Sequence, residues 1–329
     1  MPGCGCGRVS ALLWDGCLAS LALVRLTFFG ESDLLLGCLR YIYVEGGRKS
    51  ADAKTNNIYE SKRKVFTSNK FTDMNKTFRK VMGLDKKVSG MSLEKDFEFD
   101  ATAVARARKE GKRCFFDLIV LDESGSMCSI YKQALDGVNE TLSTIRQSQT
   151  EDDTQRHFVS LVAFDSSHLR FIYNGTPAEE TKNITTEQYR PGECTPLYDA
   201  MGVTINDLRT RVANEDIVMV TVITDGEENS SQEYTSATVK ALVDELRLKG
   251  WTFTYLGANQ DVESVATSLN IDNYMDFDAS EEGAEDMWKQ ECRMRKRYYG
   301  LMSSLPEDAL CCAESKRVRN YFKGWKRKK

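Results

Sequence analysis

Asp122, Ser124 and Ser126 stand at two-residue intervals in LIVLDESGSM, residues 118–127, directly after an apolar run. An acid and two hydroxyls at that spacing offer three oxygen donors from one short loop, and a small hard cation takes oxygen donors. Thr195 in CTPLYDAMG and Asp225 in ITDGEE, both far along the chain, complete a set of two carboxylates and three hydroxyls. That set suits Mg2+ or Mn2+, which are held by one or two carboxylates with neutral oxygens and water in the other positions. With so few carboxylates a bound ion keeps positive charge, and a carboxylate from a protein partner can join it. Taken alone, DESGS is also ordinary turn or helix-cap chemistry. Only a fold that brings Thr195 and Asp225 to it makes it more.

Other chemistries have weaker material. His157 and His168, the two histidines, flank strand-like runs and read as structural, and no GxSxG elbow accompanies a Ser/His/Asp triad. An aspartate at a strand end beside a cation can attack phosphorus, so a Mg2+-dependent phosphohydrolase using Asp122 is the alternative function. Its haloacid-dehalogenase form wants an acid two residues after the nucleophile, and that position is Ser124. No Walker A loop or GxGxxG follows a strand. Glu227 and Glu228 read as solvated loop acids and Cys194 as a small packed residue.

The elements that must position these residues are legible from residue 114 onward. CFFDLIVLD is a continuous apolar run, as a strand buried on both faces requires. In residues 129–149, Ile130, Ala134, Val138, Leu142 and Ile145 share one helix face. Strands over 157–165 and 168–175 follow, joined by Ser166 and Ser167, with the second as an antiparallel edge partner. A helix begins at Thr195 with Pro196 in its first position, burying Leu197, Met201, Ile205, Leu208 and Val212. DIVMVTVITDG is a second apolar strand ending in an acid, and helix, strand, short helix and strand follow it to residue 277. Alternation of this kind predicts an α/β fold: a doubly wound, mostly parallel sheet in the order 3-2-1-4-5-6, one antiparallel edge strand, and helices on both faces. Asp122 and Asp225 then close neighbouring strands at the point where strand order reverses, the place where such sheets bind ligands.

At these residues the chain resembles a von Willebrand factor type A (VWA) domain. DESGS, the threonine of CTPLYDAMG and the acid of ITDGEE are similar to the three segments of that family's metal-ion-dependent adhesion site (MIDAS), in order and over about residues 114–280. The resemblance implies that Asp122, Ser124, Ser126, Thr195 and Asp225 hold Mg2+ or Mn2+, that a partner's Glu or Asp carboxylate joins the ion, and that the domain is a non-enzymatic protein-binding module. TPLYDAMG and TDGEENSS look most like small intracellular bacterial members, including those of tellurium-resistance-type gene clusters.

Composition bounds the rest. The 329 residues, 41% hydrophobic, suffice for one large or two modest domains. Residues 1–113 carry 21 basic and 13 acidic side chains, 114–280 carry 11 and 28, and 281–329 carry 13 and 8. The acidic middle is a poor surface for nucleic acid and a good one for a cation or basic partner. None of the ten cysteines forms a CxxC pair, so they read as thiols of a reducing, cytoplasmic compartment. Asp15 and Arg25 interrupt the apolar stretch 11–30, which argues against a membrane span or signal peptide. Residues 1–50 are left unassigned, as a poorly ordered N-terminus or a mis-called start, and 51–113 as a basic linker or helical appendage. Within the latter, 99–113 reads as a short helix capped by Asp100. Residues 281–305 read as a long helix, acidic at its start and basic at its end. The tail beyond, to 329, interleaves Lys and Arg with Tyr321, Phe322 and Trp325 and reads as a solvated basic face, with nucleic-acid or anionic-membrane contact as the other reading.

Overall fold

The run CFFDLIVLD lies in the middle of the sheet. In the computed structural model, which describes residues 91–276, 280–306, 319, 320 and 322, strand β2 (Arg113–Asp122) is buried at every residue after Arg113. Seven strands form one sheet: β1 (Ser92–Lys95), β2, β3 (Gln155–Phe164), β4 (His168–Pro177), β5 (Ile217–Thr224), β6 (Thr252–Gly257) and β7 (Asn273–Asp276). Their order is β1-β4-β3-β2-β5-β6-β7, parallel throughout except for the β3–β4 pair. The fold is therefore the α/β, doubly wound, mostly parallel sheet expected. One strand is new: β1, in the stretch read as linker, pairs in parallel with the outer side of β4, with Ser92 opposite His168, so β4 is antiparallel to β3 as expected but is not the edge of the sheet. All four of its residues are exposed, so it carried no hydrophobic alternation to announce it.

Alternation along β2 divides the core in two. Phe115, Ile119 and Leu121 pack beneath α2 (Tyr131–Glu151) and α6 (Glu281–Ser304). Phe116, Leu118 and Val120 face the other layer, with α1 (Ala101–Lys109), α3 (Leu197–Arg209), α4 (Ser236–Leu248) and α5 (Val262–Ser268). Asp100 caps α1 as expected, its Oδ1 accepting from the Ala103 N–H at 2.8 Å. The C-terminal helix is docked: a Cβ on Gly137 of α2 would stand 1.9 Å from Cε2 of Trp288, so that glycine lets α6 lie close.

Three local expectations shift. Pro196 is the N-cap of α3, one residue before the first helical position, and Val212 falls beyond that helix. A 3-10 turn, Gly125–Ile130, leads into α2. Asp225 stands one residue past the end of β5. Among the described residues no helix is long and apolar enough to cross a membrane. The stretch 11–30, most of the 51–113 segment and most of the basic tail lie outside the described residues.

Candidate metal centre

The ends of β2 and β5 are set side by side by parallel pairing that runs to Leu121 opposite Ile223. Asp122 and Thr224, the next residues of each strand, therefore meet: the Thr224 hydroxyl donates to Asp122 Oδ2 at 2.6 Å. The other carboxylate oxygen, Oδ1, accepts from the Ser124 N–H at 2.8 Å, which turns the chain so that Ser124 and Ser126 bring their hydroxyls within 3.1 Å of each other. Ser126 Oγ then donates to Asp225 Oδ1 at 2.7 Å, and Ser129 lies 3.4 Å from Asp225 Oδ2.

Thr195 arrives from the long loop before α3. Its N–H donates to Asn229 Oδ1 at 2.9 Å and its carbonyl accepts from the Asn229 N–H at 3.2 Å, a reciprocal pair that ties this loop to the one after β5. Convergence is sharpest at Gly226. A Cβ placed there would stand 3.0 Å from Ser126 Oγ, 3.2 Å from Thr195 Oγ1 and 3.8 Å from Asp122 Oδ2. Hydrogen bonds link Asp122, Ser124, Ser126 and Asp225, and Asp122, Ser126 and Thr195 line a small cradle that glycine leaves open. Thr195 is 2% exposed, yet among the described residues nothing hydrogen-bonds its hydroxyl. That hydroxyl is open to the cradle, and an oxygen-only donor set with two acids fits a hard cation there.

Electrostatics agree. Asp122 is fully buried, and burial pushes its carboxyl up to about 6, against the hydrogen bonds from Thr224 and Ser124; the nearby Asp225 pushes the same way as burial. Among the described residues no Lys, Arg or His forms a salt bridge with Asp122 or Asp225. Lysine or arginine is the usual answer to a buried acid pair, and this site has none.

Surrounding residues hold the loops in place. Glu123, also fully buried, accepts from the Arg190 N–H and stands 3.0 Å from His168 Nε2 and 3.3 Å from Arg170. Its carbonyl accepts from Gly192 N–H at 2.8 Å, and Gly125 N–H donates to the Glu193 carbonyl at 3.0 Å. The Tyr189 hydroxyl donates to the Asp122 carbonyl at 3.0 Å. Asp199 accepts three N–H groups, of Gln232, Glu233 and Tyr234, at 2.7–3.0 Å.

No family model and no curated protein matches this chain. Solved structures similar to it include the PilB minor pilin from Streptococcus sanguinis, at 12% identity and TM-score 0.40 over 57% of this chain and 62% of that one. The SpRpn10 VWA domain matches at 8% identity and TM-score 0.41, over 53% of this chain and 94% of that one. Manganese-loaded TRAP protein from Plasmodium vivax matches at 18% identity and TM-score 0.37, over 53% and 71%. The chain spans less than two thirds of the PilB structure. Likeness at this level assigns nothing to this chain; its own geometry must carry the reading.

Some expectations change at this site. Cys194 is exposed, because the loop faces its thiol outward while Thr195 turns in. Glu227 is exposed as expected, but Glu228 accepts from the N–H groups of Tyr198, Ser230 and Ser231 and fastens the loop to α3. His157 is structural, its Nδ1 2.9 Å from Asp117 Oδ2. Thr224, Gly226, Ser129 and Asn229 were missed. Only the TDG tripeptide around Asp225 hinted at the first two, and their roles depend on which loops meet.

Proposed function

We propose that residues 114–280 form a VWA-type domain whose adhesion site binds Mg2+ or Mn2+ through Asp122, Ser124, Ser126, Thr195 and Asp225 and thereby captures a Glu or Asp carboxylate of a protein partner. The observation that carries this reading is the cradle at Gly226, where the Ser126, Thr195 and Asp122 oxygens lie within 3.0–3.8 Å of one point and the Thr195 hydroxyl is unpartnered. A bound ion supplies a positive centre to which one carboxylate oxygen can attach. The chain's part is to hold the oxygens in place: Thr224 and the Ser124 N–H orient Asp122, Ser126 orients Asp225, and Asn229 fastens Thr195.

The domain is read as a binding module without catalysis. Residue 124 is a serine where phosphoryl transfer of the haloacid-dehalogenase kind wants an acid. Cytoplasmic location belongs to the same proposal, and the described cysteines Cys114, Cys128, Cys194 and Cys292 are free thiols.

Titration with Mn2+, followed by the loss of its free-ion EPR signal, tests the reading directly. Wild-type protein is expected to bind one ion per chain, displaceable by Mg2+, and Asp122→Ala to bind none. Equal binding by Asp122→Ala would sink the assignment. Turnover of a phosphate ester that disappears in Asp122→Asn would favour the hydrolase instead.

A further inference from the structure

The three segments that build the site, 122–129, 190–199 and 225–233, carry eight acids: Asp122, Glu123, Glu193, Asp199, Asp225, Glu227, Glu228 and Glu233. Against them stands one base, Arg190. Histidine and arginine at 168 and 170 do approach, but both engage Glu123. Exposed residues nearby in the fold continue the bias. Glu187, Glu193 and Glu227 are exposed on the loops of the site, and Asp261 and Glu263 are exposed at the start of α5, which follows the neighbouring strand β6. A divalent ion removes only two of these charges. An arriving carboxylate therefore meets attraction at the ion and repulsion from the rim.

An acidic rim alone does not make a binding surface. Here the loops that carry it also hold a mark of a ligand, the unpartnered hydroxyl of the 2%-exposed Thr195, directed into the Gly226 cradle. A partner with a bare or acid-flanked carboxylate would be repelled over the Debye length, roughly 8 Å at physiological salt. One whose carboxylate sits among lysines or arginines would be steered in and would offset the rim. We infer that the partner is a protein segment in which a single Glu or Asp is flanked on both sides by Lys or Arg, the acid reaching the ion and the bases facing Glu193 and Glu227. This rests on the metal-binding reading and adds the partner's charge pattern to it.

The test uses the full chain with saturating Mn2+ and two capped peptides, each with one central glutamate. One has two lysines and an arginine on each side of it, and the other has serines at those positions. The double variant Glu193→Lys/Glu227→Lys changes two exposed side chains that make no hydrogen bond among the described residues. The basic-flanked peptide is expected to bind at least about tenfold more tightly than the serine peptide, and to lose about tenfold between about 50 and about 300 mM salt. In the double variant that preference is expected to disappear or invert; the same charge reversal weakens attraction of the ion, so the comparison is made at Mn2+ concentrations that saturate the variant.

Equal binding of both peptides, binding of neither by a protein that holds Mn2+, or an unchanged preference in the variant would each overturn the partner assignment and leave the metal site standing. Failure of the wild type to bind Mn2+ would instead remove the metal reading and this inference with it. Salt-sensitive self-association in place of peptide binding would give the surface to the basic segments of a second copy and overturn the proposal as stated.

Discussion

Asp117 and Asp122 stand on the same strand, β2, and both are buried, at 1% and 0% exposure, but the protein treats them in opposite ways. Asp117 faces the α2 and α6 layer. His157 Nδ1 lies 2.9 Å from one of its oxygens, the Tyr299 hydroxyl donates to the other at 2.5 Å, and the Arg295 guanidinium stands 3.6 Å away. Arg295, itself fully buried, also donates to Glu291 and Thr221 at 2.7 Å each, so the charges of the patch answer one another. Asp122 has hydroxyls, an N–H and a second acid, and no cation from the described chain. Burying a charge is costly unless it is paired. The first region is a structural network built on a buried arginine, with Glu291 Oε2 left without a partner among the described residues, and it pins α6 to the sheet. The second leaves its charge to be answered from solution.

The largest effect should come from breaking the Arg295 network. Arg295→Met leaves Asp117 and Glu291 buried without their guanidinium and is expected to cost about 3–5 kcal/mol in urea unfolding. Loss of less than about 1 kcal/mol would erase the contrast between the two aspartates.

Asp122→Asn should do the reverse in metal-free protein, raising stability by up to about 3 kcal/mol at neutral pH as the cost of a buried charge disappears. The same variant should lose Mn2+ binding. A large destabilisation without metal would show Asp122 to be structural, like Asp117.

Proton linkage sharpens the contrast further. Burial holds the Asp122 carboxyl at about 6 in the folded protein against an ordinary value of 3.8, so between these the folded state binds more protons than the unfolded one. Its contribution to stability is therefore full below about pH 4 and lost as pH rises through about 6. The difference in melting temperature between wild type and Asp122→Asn, measured from pH 4 to 7, should widen across that window without metal and narrow with saturating Mg2+. A flat difference in metal-free protein would contradict the assigned burial cost.

Smaller effects probe the cradle. Gly226→Ala places a Cβ 3.0 Å from Ser126 Oγ and 3.2 Å from Thr195 Oγ1, and should weaken Mn2+ binding about tenfold with little change in metal-free stability. Thr195→Val removes one neutral donor and should weaken the ion by a few-fold, about 1 kcal/mol, in the same titration. Unchanged affinity in both would move the ion away from this point.

Much of this architecture was legible in the order of residues. The β2 and β5 runs, the helix faces and the Asp100 cap are local signals, set by side-chain period and by hydrogen-bonding groups a few residues apart. Strand β1 was not legible, because all four residues of SLEK are exposed and it is defined only by its register against β4. Nor was Arg295. It belongs to a helix read only as acidic at its start and basic at its end, and it is buried because Asp117 and Glu291 meet it there. Cys194 and Thr195, adjacent in sequence, face opposite ways for a reason held in the Asn229 contact.

By itself the sequence determined which residues carry oxygen donors, where the two central strands end, and that the surroundings are acidic, since these are properties of composition and local period. Tertiary structure alone decided that Thr195 and Gly226 share a cradle with Ser126, and that Asp117 is paired while Asp122 is not. Distance and compensation depend on neighbours that the chain brings together from far apart, and a lone aspartate on an apolar strand reads the same in either case.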